Sequence, residues 1–235
     1  MTPGRRRPEW SAESRRRLTR HLCLAGGSAA IIIAAALVLP GRINERFSLG
    51  SAYLALALLV VTLALGPLNV IRSRPNPVSF NLRRDFGIWS AVLGLVHTVI
   101  GLTVHFGGRL RMYFLAQPDG RSLLGLRADP FGLANHTGLV AALLLLLLAA
   151  ISNDLSLRSL GTARWRWLQR WAYLILALTI LHGGLYQVLE KQRAVLVALF
   201  TVLSLVVLAV QLAGVRRHRA DSMRRVGAVT GRDSA

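Results

Sequence analysis

Six apolar runs, separated by short polar stretches, organise this chain: Leu22–Leu39, Leu49–Ile71, Phe86–Phe106, Phe131–Ile151, Trp167–Val188 and Ala194–Ala213. Each is close to the roughly 20 apolar residues needed to cross a bilayer. None shows the strict alternation of a barrel strand, and a helix satisfies its own backbone groups in lipid, so the pattern predicts six membrane-spanning helices. Pro40 and Gly41 end the first, Gly66 and Pro67 the second, and Pro75 and Pro77 lie with four arginines in the connection Arg72–Asp85. The third helix is expected to begin just after Asp85, an acid well placed at the positive end of a helix dipole. Gly107–Pro130 is the longest outer connection. Its Arg109, Arg111, Tyr113, Phe114 and Arg127 read as a contact loop for a substrate or partner, or equally as a plain connector. Met1–Arg20 and Val215–Ala235 have no apolar period and are expected to be loosely ordered. The predicted organisation is therefore an all-α integral membrane six-helix bundle over residues 22–213, between basic tails at 1–21 and 214–235.

Composition sharpens this picture. With 53% hydrophobic and 17% charged residues, the chain holds more apolar side chain than a soluble core needs. The net charge of +19 would suit a nucleic-acid binder, but its distribution points to membrane topology. Of the 29 basic residues, 21 fall in the tails, in the connections on their side or, for Arg170, at the inner end of the fifth run, so both termini are expected in the cytoplasm and the protein in the plasma (inner) membrane. The expected partner of this charge is anionic lipid, with no nucleic acid involved. Ser14–Leu18 looks like a twin-arginine signal but has no small-residue cleavage site after it, and reads as a cytoplasmic anchor. Cys23 is the only cysteine, which excludes an internal disulfide or a thiolate cluster. No glycine-rich nucleotide fingerprint is present. No carboxylate falls inside the runs, which argues against a proton-driven transporter.

Candidate chemistry lies in two intramembrane histidines. His97 is near the middle of the third run, where Gly87, Gly94, Gly101 and Gly108 recur every seven residues. Gly94 and Gly101 share its helical face, leaving room for a neighbouring helix or for the edge of a porphyrin whose iron the imidazole would bind. His182 lies in the fifth run, followed by Gly183 and Gly184. It is 12 residues past Arg170, and His97 is 13 past Arg84, so both lie roughly 18–20 Å from the inner boundary. Two neutral imidazoles at one level are what a six-coordinate haem iron requires. His105 and His136 sit nearer the outer ends. They read as interfacial histidines, with an outer electron-exit or quinone site as the alternative. Trp165, Trp167, Trp171 and Tyr173 have a sufficient explanation as an aromatic belt, and Thr201 and Ser204 of the sixth run as packing.

Three motifs carry a resemblance: RRDFGIWSAVLGLVH, the passage through Ser152 into SLRSLG, and WRWLQRWAYLILALTILH. In order and spacing they resemble the ferric reductase-like transmembrane domain family over about Leu49–Val210. That family includes the membrane parts of ferric reductases and NADPH oxidases and the haem-binding subunit of bacterial methionine sulfoxide reductase systems. The resemblance implies b-type haem carrying electrons across the membrane, with His97 and His182 as the iron ligands and Gly94 and Gly101 beside the ring. Many members have an inner histidine where this chain has Gln169, and two-haem members another where it has arginines, which implies one haem per chain. The donor would be a separate cytoplasmic flavin reductase or a quinol, and the acceptor an external ferric chelate or partner reductase. A flavin is compatible with the family, though no residue pattern here shows one. The chain would be an electron-transfer subunit of an oxidoreductase, without catalytic acid or base residues. The alternative is a haem-free multi-pass protein, a transporter or assembly factor, in which the histidines are hydrogen-bonded.

Overall fold

The computed structural model describes residues 12–73, 78–116 and 122–230. Eight α-helices follow in order: α1 (Ala12–Val38), α2 (Ile43–Ile71), α3 (Val78–Val104), the single turn α4 (Arg111–Phe114), α5 (Pro130–Ala150), α6 (Asp154–Gln169), α7 (Ala172–Gly183) and α8 (Ala194–Thr230). A small hairpin of β1 (Ser122–Leu123) and β2 (Leu126–Arg127) precedes α5, and a π-helical segment, Gly184–Lys191, extends α7. Six helical stretches are long and apolar enough to cross a bilayer, with α6, α7 and the π-helical segment counting as one, so the chain is an all-α multi-pass membrane protein. Arg121, Pro75, Pro77 and the first eleven residues lie outside the described residues.

Four of the helices that the apolar runs outline, α1, α2, α3 and α8, are longer than their runs. α1 starts at Ala12, so the arginine-rich segment expected to be unstructured is helical from that point. α3 starts at Val78, which places Asp85 two turns inside the helix and not at its amino terminus. Asp85 is buried at 1% exposure and is held by α1: Arg20 at 2.8 Å, His21 at 3.4 Å and Arg17 at 3.6 Å. Trp89 of α3 donates its indole N–H to His21 Nδ1 at 3.0 Å. Glu45 likewise lies within α2, ion-paired to Lys191 and Arg193. The helices thus carry Asp85 and Glu45 just outside the apolar runs, and these two carboxylates are matched by cations.

α2 does not stop at Gly66 and Pro67 but continues to Ile71. Proline cannot donate to the carbonyl four residues back, here Leu63. Gln211 of α8 supplies the missing donor, Nε2 to Leu63 O at 2.8 Å. Gly214 packs so close to Pro67 that a Cβ would lie 2.6 Å from the ring. The defect in α2 is thus a seat for α8, and α8 runs on as a helix through the segment expected to be loose, to Thr230.

The fifth run is not one helix. Its inner end belongs to α6, capped by Asn153 (Ser156 N–H to Oδ1, 2.8 Å) and interrupted at Gly161, whose φ of 72° suits glycine. α6 carries Arg158, Arg164 and Arg166 with Trp165 and Trp167, an amphipathic composition suited to the membrane surface. The chain then turns at Arg170 and Trp171 into α7. Asp129 caps α5, accepting from Gly132 N–H at 2.8 Å, and Pro130 occupies the first turn where no donor is needed.

The core lies where α2, α7 and α8 meet: Leu56, Leu59, Val60 and Leu63 pack with Ile175, Leu176, Phe200 and Val207, and with Leu148 of α5. Lipid gives apolar side chains no reason to turn inward, so small residues and close packing fix this arrangement. Ser51 and Ser90 are fully buried, and Ser90 donates to Ala55 O at 2.9 Å, tying α3 to α2.

Candidate functional site

α3 and α7 bring His97 and His182 together, with ring centres 6.0 Å apart and planes inclined by 67°. Each imidazole is tied to a backbone carbonyl on a third or fourth helix. His97 Nδ1 lies 3.0 Å from Ser48 O of α2, with Ser48 Oγ at 3.1 Å. His182 Nδ1 lies 2.7 Å from Ala134 O of α5. A carbonyl only accepts, so both Nδ1 atoms carry the proton, and both Nε2 atoms keep a free lone pair. This is the state in which a neutral histidine ligates a metal, with its other nitrogen oriented by an outer partner.

Both rings line a cavity of about 190 Å³ between α2, α3, α5, α7 and the start of α8. Gly94 and Gly101 line it as well. A Cβ at Gly94 would stand 3.0 Å from Leu145 Cδ1, and one at Gly101 would stand 3.4 Å from Ser48 Oγ, so each allows a neighbouring helix to approach the His97 face. A third glycine, which the apolar pattern does not mark, matters more directly. Gly138 is one helical turn after Ala134, and a side chain there would cover the Ala134 carbonyl. A Cβ would lie 2.6 Å from His182 Nδ1. A Cβ at Gly183, which also lines the cavity, would meet the ring of Phe200, and one at Gly184 would meet nothing within 4 Å.

The donor set limits what the pair can hold. Among the described residues no group of three or more His, Cys, Asp or Glu side chains is placed to bind a metal ion. Two imidazoles alone suit a metal that brings its own equatorial ligands, as haem iron does. Two imidazoles on opposite sides of one ion, each at about 2 Å, have ring centres about 6–6.5 Å apart, close to the separation found here. The residues present therefore fit a bis-histidine haem.

The other expected positions are occupied differently. Arg84 pairs with Asp154 at 2.5 Å, and Gln169 Nε2 donates to Ser152 Oγ at 3.3 Å. At the outer end His105 closes α3. Its backbone N–H donates to the Tyr113 hydroxyl at 2.8 Å, and that hydroxyl donates back to His105 O. The His105 ring packs edge-on against Phe131 at 5.4 Å, and His136 lies 5.5 Å from Phe114. Both Nε2 atoms are buried without a hydrogen-bond partner. Arg127 fixes the hairpin above this cluster. It chelates Asp129 through contacts of 2.7–2.9 Å, donates to Met112 O and stacks over Phe131 at 4.5 Å.

Four further groups at the cavity carry chemistry that the apolar pattern did not single out: Tyr186, Gln187, Lys191 and Arg193. Their signal in sequence is faint, since they follow His182 in a stretch that looks like an ordinary helix end. No family model matches the chain.

Proposed function

We propose that this chain is the haem-bearing membrane subunit of a transmembrane electron-transfer system. The observation that carries the reading is the pair His97 and His182, 6.0 Å apart in a membrane cavity, each Nδ1 committed to a carbonyl and each Nε2 left to bind. One b-type haem per chain would be held by these two residues, with Gly94, Gly101 and Gly138 keeping side chains off the ring and its ligands. When bound, haem supplies one-electron iron chemistry. The protein holds the imidazoles neutral and oriented and keeps water out through the leucines and aromatic residues around them. Arg84 stays protonated, and an amide such as Gln169 is a poor substitute for imidazole, which supports one haem and no second one toward the inner side. The charge distribution supports cytoplasmic termini in a plasma membrane. The donor in this reading is a separate cytoplasmic flavin reductase or a quinol, and the acceptor an external ferric chelate or partner reductase.

Purified protein from haem-replete cells tests the reading. The expected result is a low-spin b-type spectrum at one haem per chain by pyridine haemochrome. His97→Ala and His182→Ala should each abolish it, while His105→Ala and His136→Ala should retain it. A folded but colourless preparation would refute the proposal.

A further inference from the structure

We infer that Lys191 and Arg193 form a carboxylate-binding end of the cavity and fix which way round the haem lies, an inference that rests on the haem reading above. A b-type haem carries two carboxylates on one edge, and carboxylates taken out of water need cations or strong donors. The charged side chains lining the cavity are Glu45, Lys191 and Arg193, and all three belong to one cluster. Lys191 Nζ lies 3.5 Å from Glu45 Oε1, Arg193 reaches the same oxygen at 2.9 Å, and Arg193 also donates to Pro40 O at 3.2 Å. Two cations against one carboxylate leave a positive excess at this end. The rest of the wall is apolar or neutral.

The cluster is within reach of the imidazole pair. Tyr186 stands between them, its ring centre 5.9 Å from that of His182 and 6.0 Å from Lys191 Nζ. The two cations owe their position to the chain reversal after the π-helical segment, where Gln192 adopts a left-handed conformation (φ 52°) between Lys191 and Arg193. Unused hydrogen-bonding capacity lines the same cavity. Gln187 is 7% exposed with Oε1 unpartnered, and His105 Nε2 is buried and unpartnered. Glu45 holds the two cations in place and would share them with the haem carboxylates.

The test compares haem b with its dimethyl ester, which lacks both carboxylate charges but keeps the iron and the ring. Each is titrated into haem-depleted full-length protein in nanodiscs and followed by the Soret band. The wild-type protein should prefer the free acid by at least about tenfold for each cation engaged. Lys191→Gln combined with Arg193→Gln should weaken the free acid to the level of the ester and leave ester binding unchanged. Equal affinity of the wild-type protein for acid and ester would overturn the inference without any variant being made, as would a preference that survives in the double variant. If neither compound gives a low-spin spectrum that depends on His97, the haem reading itself fails and this inference falls with it.

Discussion

Replacing Gly138 by alanine puts one methyl group where the structure has no space. The new Cβ would lie 2.6 Å from His182 Nδ1 and 2.9 Å from Cε1, against an ordinary carbon contact of about 3.5–4.0 Å. The imidazole must therefore retreat by about 1 Å, because the other party is helix backbone. That movement breaks the 2.7 Å hydrogen bond to Ala134 O and shifts the ring from its place 6.0 Å, centre to centre, from that of His97. Losing the hydrogen bond costs about 0.5–1.5 kcal/mol, and overpacking a filled site about 1–3 kcal/mol more. Together, about 2–4 kcal/mol corresponds to a weakening of the proposed haem binding by roughly 30- to 1000-fold. If the proposed haem is held by His182, Soret titration of Gly138→Ala in nanodiscs should show this loss, with high-spin character as that ligand is strained. Gly184→Ala is the control, since its methyl group meets nothing within 4 Å and it is only two residues from His182. A Gly138→Ala protein that binds haem as the wild type does would refute the argument that this glycine serves the imidazole.

Other perturbations follow from the helix ends. Asp85→Asn leaves Arg17, Arg20 and His21 around a neutral group; because their side chains are 27–35% exposed, the cost should be about 1–3 kcal/mol, below that of a fully buried pair, and visible as a lower Tm with faster hydrogen exchange in the first turns of α1. Gln211→Met strands the Leu63 carbonyl beneath Pro67 and should cost about 1–3 kcal/mol in the same unfolding assay. At Asp129 the Arg127 side chain holds the carboxyl below its usual range, with burial opposing and the Gly132 N–H assisting. A depressed folded value means that the contribution is complete above the unfolded value near about 4 and disappears as pH falls through the folded value. Hydrogen exchange at the start of α5 should accelerate in that acid window, and Asp129→Ala should remove the pH dependence while costing about 1 kcal/mol.

The apolar runs made the spans visible because lipid selects for composition over a fixed length, whatever the partner helices are. The same signal says little about where helices end. α1 and α8 continue into arginine-rich segments, and α3 begins upstream of its arginine doublet, because helical hydrogen bonding does not depend on the change from lipid to water. The break between α6 and α7 was hidden for a related reason. Trp167 and Trp171 extend the apolar count on both sides of the turn at Arg170. His97 and His182 stood out as ionisable groups in apolar surroundings, and equal spacing from inner arginines put them at one level. Ser48, Ala134 and Gly138 did not stand out, since their roles depend on contacts 44–49 residues distant along the chain. Asp85 was misread for the opposite reason. Its nearest sequence neighbours suggest an acid at the start of a helix, but its partners are on α1.

The acceptors that orient both imidazoles have a consequence for how such a protein can drift. His97 and His182 each lean on a peptide carbonyl, of Ser48 and of Ala134, and a carbonyl is present whatever side chain the codon specifies. Substitution at position 48 can remove the hydroxyl but not the main acceptor, and at position 134, which has no exposed surface, only size is constrained. The outer partners of the pair are thus written in backbone geometry. Two chains could share this support in full while showing no shared residue at those positions, and the constraint would surface instead as a ban on side chains at position 138.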